Sequence, residues 1–226
     1  MAAFRLAFEQ GADGVELDAK LTADGHVVAL HDATLDRTTN GSGPVSSCTL
    51  ADLRRLDAGS HFSAAFAGER IPTLQEVLEC VGGQGLINIE LTNYASPLDD
   101  LARQVCRVLG KWRSNVSVLL SSFLPRNLGI CGTVLPHISR GLLALPGWRG
   151  AWARSFAFMF GSYQALHPHV NDTNRAQVRR VHSIGRRINV WTANEPKTIR
   201  YLAEIATDGI FSDDPLRARK ALGKAE

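Results

Sequence analysis

The sequence predicts an α/β fold of the TIM type, a (β/α)8 barrel that lacks its first strand. Apolar strands alternate with helical segments from Pro72 to the end of the chain, which is the pattern of βα units around a parallel sheet. Seven parallel strands are predicted and the chain opens on a helix, so one earlier strand would complete the barrel. An open doubly wound sheet is disfavoured because no glycine-rich phosphate turn follows the first strand.

Length and composition indicate one domain over residues 1–226. The chain is 45% hydrophobic and 21% charged, as in ordinary globular proteins, and barrels of this length are common. A net charge of +3 gives nucleic acid or an anionic membrane no strong attraction, and no apolar run is long enough to span a bilayer. We expect no nucleic-acid partner and no stable membrane insertion. The opening residues lack the features of a signal peptide, so we expect a cytoplasmic location unless such a peptide lies upstream.

The first thirty residues are predicted to form a helix and a hairpin. Apolar residues follow helical spacing over residues 2–10, and Gly11 ends the run. Residues 15–20 and 27–30 are predicted strands, joined by a tight turn at Asp24 and Gly25.

A small insertion is predicted after the second strand, over residues 33–70. This segment is rich in turn residues and contains one modest helix near residues 51–56, so it is not expected to be a domain of its own. We expect it to flank the site, with Phe62 and Phe66 as its apolar anchors.

A regular alternation of helices and strands follows this insertion. The remaining strands are predicted at residues 86–91, 116–123, 141–145, 164–167, 188–192 and 209–212. The helices are predicted at residues 73–81, 98–112, 127–134, 148–160, 175–184 and 196–205, with a tail helix after residue 214.

Two carboxylates lie on one face of the first predicted strand. Glu16 and Asp18 are two residues apart, which on a strand places them on the same side about 6.6 Å apart. If that side is the barrel interior, two such carboxylates repel each other and require a cation or a proton. Mg²⁺ or Ca²⁺ fits best, because both bind carboxylate oxygens and retain open positions for water and substrate.

Other polar residues near the predicted strand ends extend this candidate site. Glu90 ends an apolar strand, where an unpaired Glu is costly, so it is predicted to complete a three-carboxylate metal site. His31 is a candidate general acid, with a structural cap as the alternative. Trp191 is interpreted as barrel core or pocket floor, the former being favoured, and it is kept as a candidate supporting or substrate-binding residue. His167 and His169 are assigned equally to strand-end hydrogen bonds and to substrate contact.

Several motifs, in order along the chain, resemble those of the glycerophosphodiester phosphodiesterase family. The resemblance covers essentially the whole chain and depends on the order and spacing of the motifs rather than on any one of them. The motifs are Gly-Ala-Asp-Gly-Val-Glu-Leu-Asp, Val-Val-Ala-Leu-His-Asp, Leu-Asp-Arg-Thr-Thr-Asn-Gly, Ile-Pro-Thr-Leu-Gln-Glu-Val-Leu, Ile-Asn-Ile-Glu-Leu, Ile-Asn-Val-Trp-Thr-Ala-Asn and Asp-Gly-Ile-Phe-Ser-Asp-Asp-Pro.

This resemblance implies a TIM-type barrel that hydrolyses glycerophosphodiesters to glycerol 3-phosphate and an alcohol, using a divalent metal and a pair of histidines. By position, Glu16, Asp18 and Glu90 would hold the metal, and His31 would protonate the leaving alcohol. The resemblance implies supporting roles for two further residues, Asp32 and Arg37.

The sequence departs from the family pattern in two places. The opening strand with its His-Arg-Gly motif is missing, and Thr92 stands where the family often has a phosphate-facing lysine. We infer an N-terminally truncated product or a start codon assigned too late. Two alternatives to the full activity stay open: an impaired remnant that only binds metal or ligand, and a phospholipase D-like enzyme that acts on lysophospholipids.

Overall fold

The fold is built on one curled, eight-stranded sheet. A computed structural model describes residues 1–112 and 116–224. The strand order is β2-β1-β3-β4-β5-β6-β7-β8, and every neighbouring pair is parallel except the antiparallel pair β1 and β2. The strands are β1 (Gly14–Leu21), β2 (Val27–Ala29), β3 (Leu86–Leu91), β4 (Ser117–Ser122), β5 (Ser139–Ala144), β6 (Ala165–Pro168), β7 (Arg187–Val190) and β8 (Gly209–Ile210).

Helices lie between the strands, close to their predicted positions. Within the described residues, no helix has both the length and the apolar character needed to cross a membrane. The helices are α1 (Ala2–Glu9), α2 (Leu50–Leu53), α3 (Leu74–Val81), α4 (Leu101–Lys111), α5 (Pro125–Val134), α6 (Phe158–Phe160), α7 (Arg175–His182), α8 (Pro196–Glu204) and α9 (Pro215–Ala221).

The alternation of side chains along β1 separates a core from a cavity. Leu17 and Ala19 are buried in the apolar cluster that includes Val77 of α3 and Leu101 of α4. The intervening side chains of β1 instead line a cavity of about 2090 Å³. Because successive strand residues point to opposite faces, one strand contributes both to stability and to the cavity wall. The residues of β1 that line the cavity include Glu16, Asp18 and Lys20.

The sheet is curled but not closed. Among the described residues, β1 pairs with β2 and β3, and β8 pairs with β7, but β1 and β8 do not pair with each other. The cavity extends to this opening, where Phe4 of α1 and Leu222 after α9 contribute to its wall. The predicted α/β barrel architecture with seven parallel strands is therefore confirmed, and the outermost strands of the sheet are β2 and β8.

The segment 33–70 packs beside β2 through a small apolar cluster of aliphatic side chains. Its members are Val28, Leu35, Val45, Leu53 and Ile71. The prediction that Phe62 anchors this segment is wrong, because Phe62 is 78% exposed. Phe66 is half-buried and its ring lies 5.7 Å from that of Phe62. The two aromatic rings follow a run of turns at the surface, whereas the aliphatic residues are held beside β2.

The predicted helix over residues 148–160 is present but irregular. It consists of a 3₁₀ turn at Gly147–Gly150, a π-helical stretch at Ala153–Ala157 and α6. The Ser155 hydroxyl donates a hydrogen bond to the carbonyl of Ala151 (2.6 Å), the acceptor that an α-helix would assign to the Ser155 N–H. The side chain therefore competes for that carbonyl at the point where the helix widens.

Candidate active site

Three carboxylates converge at the carboxyl ends of β1 and β3. Asp18 of β1 lies in register with Glu90 of β3, and Glu16 lies one pleat earlier on the same face. One oxygen from each of Glu16, Asp18 and Glu90 lies within 4.8 Å of the other two. The structure thus brings together the three acids that the sequence singled out, at a spacing that one cation can bridge.

Each of these carboxyl groups has a raised pKa. The surrounding protein raises the pKa of Glu16 well above its ordinary value, and the charges of Asp18 and Glu90 raise it further. Glu16 is nevertheless exposed to the cavity, so its poor hydration is that of a deep cavity rather than of a packed core. Burial likewise raises the pKa of Asp18, and it raises that of Glu90 to about 7. The cluster therefore favours a proton or a cation near neutral pH.

Tyr94 holds Glu90 in place, a contact that the sequence analysis missed. The Tyr94 hydroxyl donates a hydrogen bond of 2.6 Å to Glu90 Oε1. Burial and the adjacent carboxylate raise the pKa of Tyr94, so the phenol remains the donor. The sequence signal for this contact was a tyrosine just after the end of β3, close enough along the chain for its hydroxyl to reach Glu90.

Lys20 places a cation beside the acids, and the sequence analysis did not single out this residue either. The Lys20 side chain is on the cavity face of β1 and only 8% of the residue is exposed. Its Nζ donates to Thr92 Oγ1, whose own hydroxyl donates to the carbonyl of Ala19 (2.8 Å). Among the described residues, no carboxylate oxygen lies within 4.0 Å of this Nζ. The ammonium is therefore fixed by Thr92 rather than by an ion pair.

His31 stands at the rim of the cavity and is oriented by Asp32. Its Nδ1 lies 2.7 Å from Asp32 Oδ1, and Nε2 has no hydrogen-bond partner among the described residues. Arg37 donates to both oxygens of Asp32, at 2.6 Å from Nε and 3.0 Å from Nη2. These hydrogen bonds hold the pKa of Asp32 well below its usual range. The arrangement keeps Asp32 ionised and fixes the ring of His31.

Aromatic side chains form a wall across the cavity mouth. Trp191 is half-buried and lines the cavity, so the favoured interpretation as barrel core is wrong. Its indole Nε1 donates to the carbonyl of His167 (2.8 Å), which fixes the plane of the ring. The rings of Phe123 and His169 meet Trp191 edge to face, with centroids 5.7 Å and 5.0 Å away.

The two later histidines differ in their surroundings. His167 is completely buried against Phe211, and burial lowers its pKa to about 3. Its Nε2 meets the amide nitrogen of Asn189 at 3.1 Å. His169 accepts a hydrogen bond from the Asn171 N–H through Nδ1. The structure therefore assigns His167 to the neutral lining and His169 to the strand-end contact.

A curled parallel sheet with acids, an ammonium and an oriented imidazole at one end defines an α/β-barrel hydrolase. The chain belongs to the Glycerophosphoryl diester phosphodiesterase family, whose sequence model matches residues 1–217. It is accordingly a phosphoric diester hydrolase by family, as the sequence motifs predicted.

Similar proteins support this assignment across nearly the whole chain. A glycerophosphodiester phosphodiesterase of Caldanaerobacter subterraneus subsp. tengcongensis is 37% identical over 216 residues, which cover 95% of this chain and 88% of that protein. The structure of an Oleispira antarctica phosphodiesterase in complex with the product sn-glycerol-3-phosphate has a TM-score of 0.88 at 30% identity, covering 98% of this chain and 90% of that chain. A glycerophosphodiester phosphodiesterase from Agrobacterium tumefaciens str. C58 has a TM-score of 0.80 at 29% identity, covering 97% and 91%.

Proposed function

We propose that this protein hydrolyses glycerophosphodiesters to glycerol 3-phosphate and an alcohol, with a divalent cation held at the carboxylate cluster. The observation that carries the proposal is the convergence of Glu16, Asp18 and Glu90 within 4.8 Å, in a chain of this family. The product named for the Oleispira antarctica relative, sn-glycerol-3-phosphate, supports this choice of substrate class.

The donor set fits a hard cation. Three carboxylate oxygens are the ligands that Mg²⁺ and Ca²⁺ prefer, and both ions leave further positions for water or phosphate. The raised pKa values of Glu16, Asp18 and Glu90 reflect repulsion and poor hydration, which a bound cation would relieve. When bound there, the ion would neutralise phosphate charge and polarise the scissile phosphorus–oxygen bond.

His31 is proposed to protonate the leaving alcohol. In the protonated ring, Nδ1–H donates to Asp32, and Nε2–H is the proton available for transfer to the alcohol oxygen. Asp32 is itself fixed by Arg37, so both residues position His31 without touching the substrate. A positioned acid of this kind commonly accelerates a reaction about 10²- to 10⁴-fold.

Lys20 is proposed to contact the phosphate of the substrate. Lys20 provides a buried ammonium on the same cavity face as the acids. Only one of the three N–H donors of this ammonium is used by the hydrogen bond to Thr92. A phosphodiester that approaches the carboxylates brings a negative charge into this poorly hydrated cavity. A fixed ammonium would offset that charge and donate to a non-bridging oxygen.

Hydrolysis is tested with glycerophosphocholine and the purified chain, in EDTA and with added Mg²⁺ or Ca²⁺. We expect turnover only with the cation, and glycerol 3-phosphate with choline as the products. Phosphocholine with glycerol would indicate cleavage of the other ester bond and contradict the proposal, as would turnover that EDTA leaves unchanged. Choline released from lysophosphatidylcholine, without cleavage of glycerophosphocholine, would favour the lysophospholipid alternative.

A binding protein without turnover is the second candidate. It is favoured by the departure from the family pattern at Thr92, where the family often has a phosphate-facing lysine. In that case, calorimetry would detect binding of Mg²⁺ or Ca²⁺ and of glycerol 3-phosphate, while hydrolysis would stay at the rate of the buffer alone.

The role of Lys20 is tested by moving its charge to the neighbouring strand. Lys20→Met is expected to weaken binding of glycerol 3-phosphate about ten- to hundred-fold, whereas Lys20→Met/Thr92→Lys recovers most of the loss because the two residues are in contact. Lys197→Met, at an exposed position on α8, serves as the control. Unchanged product binding in Lys20→Met, with tighter cation binding, would show that Lys20 only balances the acids.

A further inference from the structure

Residues 147–160, here called the aromatic helix, present a row of large exposed rings. Trp148 is 84% exposed, Trp152 58%, Phe156 61% and Phe160 78%. The four side chains recur every fourth residue. In an α-helix, side chains four residues apart are displaced by about 40° around the helix axis at each step. The wider π-helical turn at Ala153–Ala157 rotates the chain less per residue, which limits this displacement. The rings therefore follow one side of the helix.

The opposite side of the aromatic helix is firmly attached to the protein. Phe158 is completely buried in the core cluster formed with Leu142 and Leu166. Arg154 donates to the carbonyls of Leu145 and Gly147, at 2.7 Å each, and forms an ion pair with Asp172. The exposed rings are thus held on a fixed surface.

The charge around this helix is strongly asymmetric. Residues 101–171 contain eight Lys and Arg residues and no Asp or Glu, whereas residues 1–100 contain six basic and fifteen acidic residues. Three of the eight, Arg103, Arg107 and Lys111, are exposed on α4, which contacts α5, and α5 in turn contacts β5 just before the aromatic helix. Asp172 and Asp100 neutralise Arg154 and Arg103. Arg149 on the aromatic helix, and Arg107 and Lys111 on α4, are exposed and have no carboxylate partner among the described residues.

We propose that the aromatic helix is a peripheral membrane-binding surface, with an anionic phospholipid bilayer as its partner. Tryptophan and phenylalanine on one face of a fixed helix, beside basic side chains, match the chemistry of an interfacial helix that lies in the headgroup region. Anionic lipids supply the negative charge that Arg149 and the other unpaired basic side chains attract. Aromatic rings this exposed in a row are unusual for a free protein surface.

The orientation of the helix connects this surface with the cavity. The aromatic helix begins just after the carboxyl end of β5, and β5 runs parallel to β4 and so to β3. Its first ring, Trp148, therefore lies toward the end of the sheet that carries the carboxylates. A protein bound through this surface would keep its catalytic end close to the headgroup layer.

The test is co-sedimentation of the full chain with large vesicles, without substrate and in EDTA, so that hydrolysis plays no part. We expect binding to 3:1 phosphatidylcholine:phosphatidylglycerol vesicles, weak binding to pure phosphatidylcholine, and release as salt is raised. Phe160→Ser combined with Trp152→Ser is expected to reduce the partition coefficient about ten-fold or more. Phe62→Ser is the matched control, because Phe62 and Phe160 are both 78% exposed, and it should bind like wild type.

Three outcomes would overturn the inference. One is that wild type stays in the supernatant with anionic vesicles at low salt. The second is that Phe62→Ser reduces binding as much as the aromatic-helix variant. The third is a wild-type dimer in sedimentation velocity that the aromatic-helix variant converts to monomer, which would assign the rings to contact between copies. Thermal unfolding of both variants checks that they remain folded, as expected for exposed positions.

Discussion

The two sides of the cavity differ sharply in charge. Toward the carboxyl ends of the strands, the side formed by β1 and β3 carries Glu16, Asp18, Glu90 and Lys20, whereas the side formed by β6 and β7 carries the neutral His167 and Asn189; Arg187 lines the cavity only at the start of β7. Both sides are poorly hydrated, yet only the first retains ionisable groups whose charges conflict. This difference supports the proposed ligand role of the acids, since their mutual repulsion adds nothing to folding.

The largest expected effect comes from the charged side. Glu16→Ala/Asp18→Ala should reduce kcat/KM for glycerophosphocholine about 10⁴-fold, because two of three proposed cation ligands are lost. Steady-state assays at saturating Mg²⁺ or Ca²⁺ measure the loss, and calorimetry should show weaker cation binding. Glu9→Ala, an exposed acid on α1, should behave like wild type. Turnover that survives in the double variant would remove the distinction between the two sides.

His31 is expected to have the next largest effect. His31→Gln should lose about 10²- to 10³-fold in kcat for an alkyl or choline leaving group, because no proton is delivered to it. The same variant should lose much less with a p-nitrophenyl ester, whose leaving group needs no proton. His137→Gln, at an exposed position, is the control. An equal loss for both leaving groups would contradict the acid role.

Glu90 gives the comparison a pH-dependent test. Its pKa is raised from the ordinary 4.5 to about 7, so its contribution to stability is present below pH 4.5 and is lost as pH rises through 7. Glu90→Gln, which can still accept from Tyr94, should therefore be more stable than wild type at pH 8 in EDTA by up to about 3 kcal/mol.

Urea unfolding at pH 5 and pH 8 measures this difference. At pH 5 the two proteins should be nearly equally stable, and at pH 8 added Mg²⁺ or Ca²⁺ should stabilise wild type more than the variant. Parallel pH profiles for the two proteins would mean that the charge on Glu90 is already balanced within the protein.

The smallest catalytic effect is expected on the neutral side. His167→Gln should change kcat/KM less than about ten-fold, because the buried ring is held neutral and acts through packing. Its main effect should be a lower melting temperature, since the ring packs against Phe211. A loss as large as that of His31→Gln would make His167 a second proton carrier and end the contrast between the two sides.

The acid cluster could be predicted because strand alternation and parallel pairing determine it. Glu16 and Asp18 share a face by their spacing, and Glu90 sits opposite Asp18 once β1 and β3 pair. Lys20 continues the same alternation and was available to the same reasoning. Tyr94 was not, because its contact with Glu90 depends on the path of the chain after β3.

Predictions for two aromatic residues failed because they were made from residue type and not from position in the fold. Phe62 was expected in an apolar contact on residue type alone, although the small cluster beside β2 was already filled by aliphatic side chains. The net charge of +3 does not show how acids and bases are distributed along the chain, so the concentration of basic residues in residues 101–171 was not predicted. For Trp191 the core was favoured over the pocket floor because the size of the ring favours burial, whereas the ring borders the cavity.

The separate apolar cluster of residues 33–70 has a consequence for heat tolerance. It is smaller than the clusters that hold the sheet, so this part of the chain is expected to open first. Arg37 lies in the same segment of the chain and donates to Asp32, whose carboxylate contacts His31. Warming should therefore reduce the rate of hydrolysis, because the ring of His31 is no longer oriented, at temperatures where circular dichroism still reports an intact barrel.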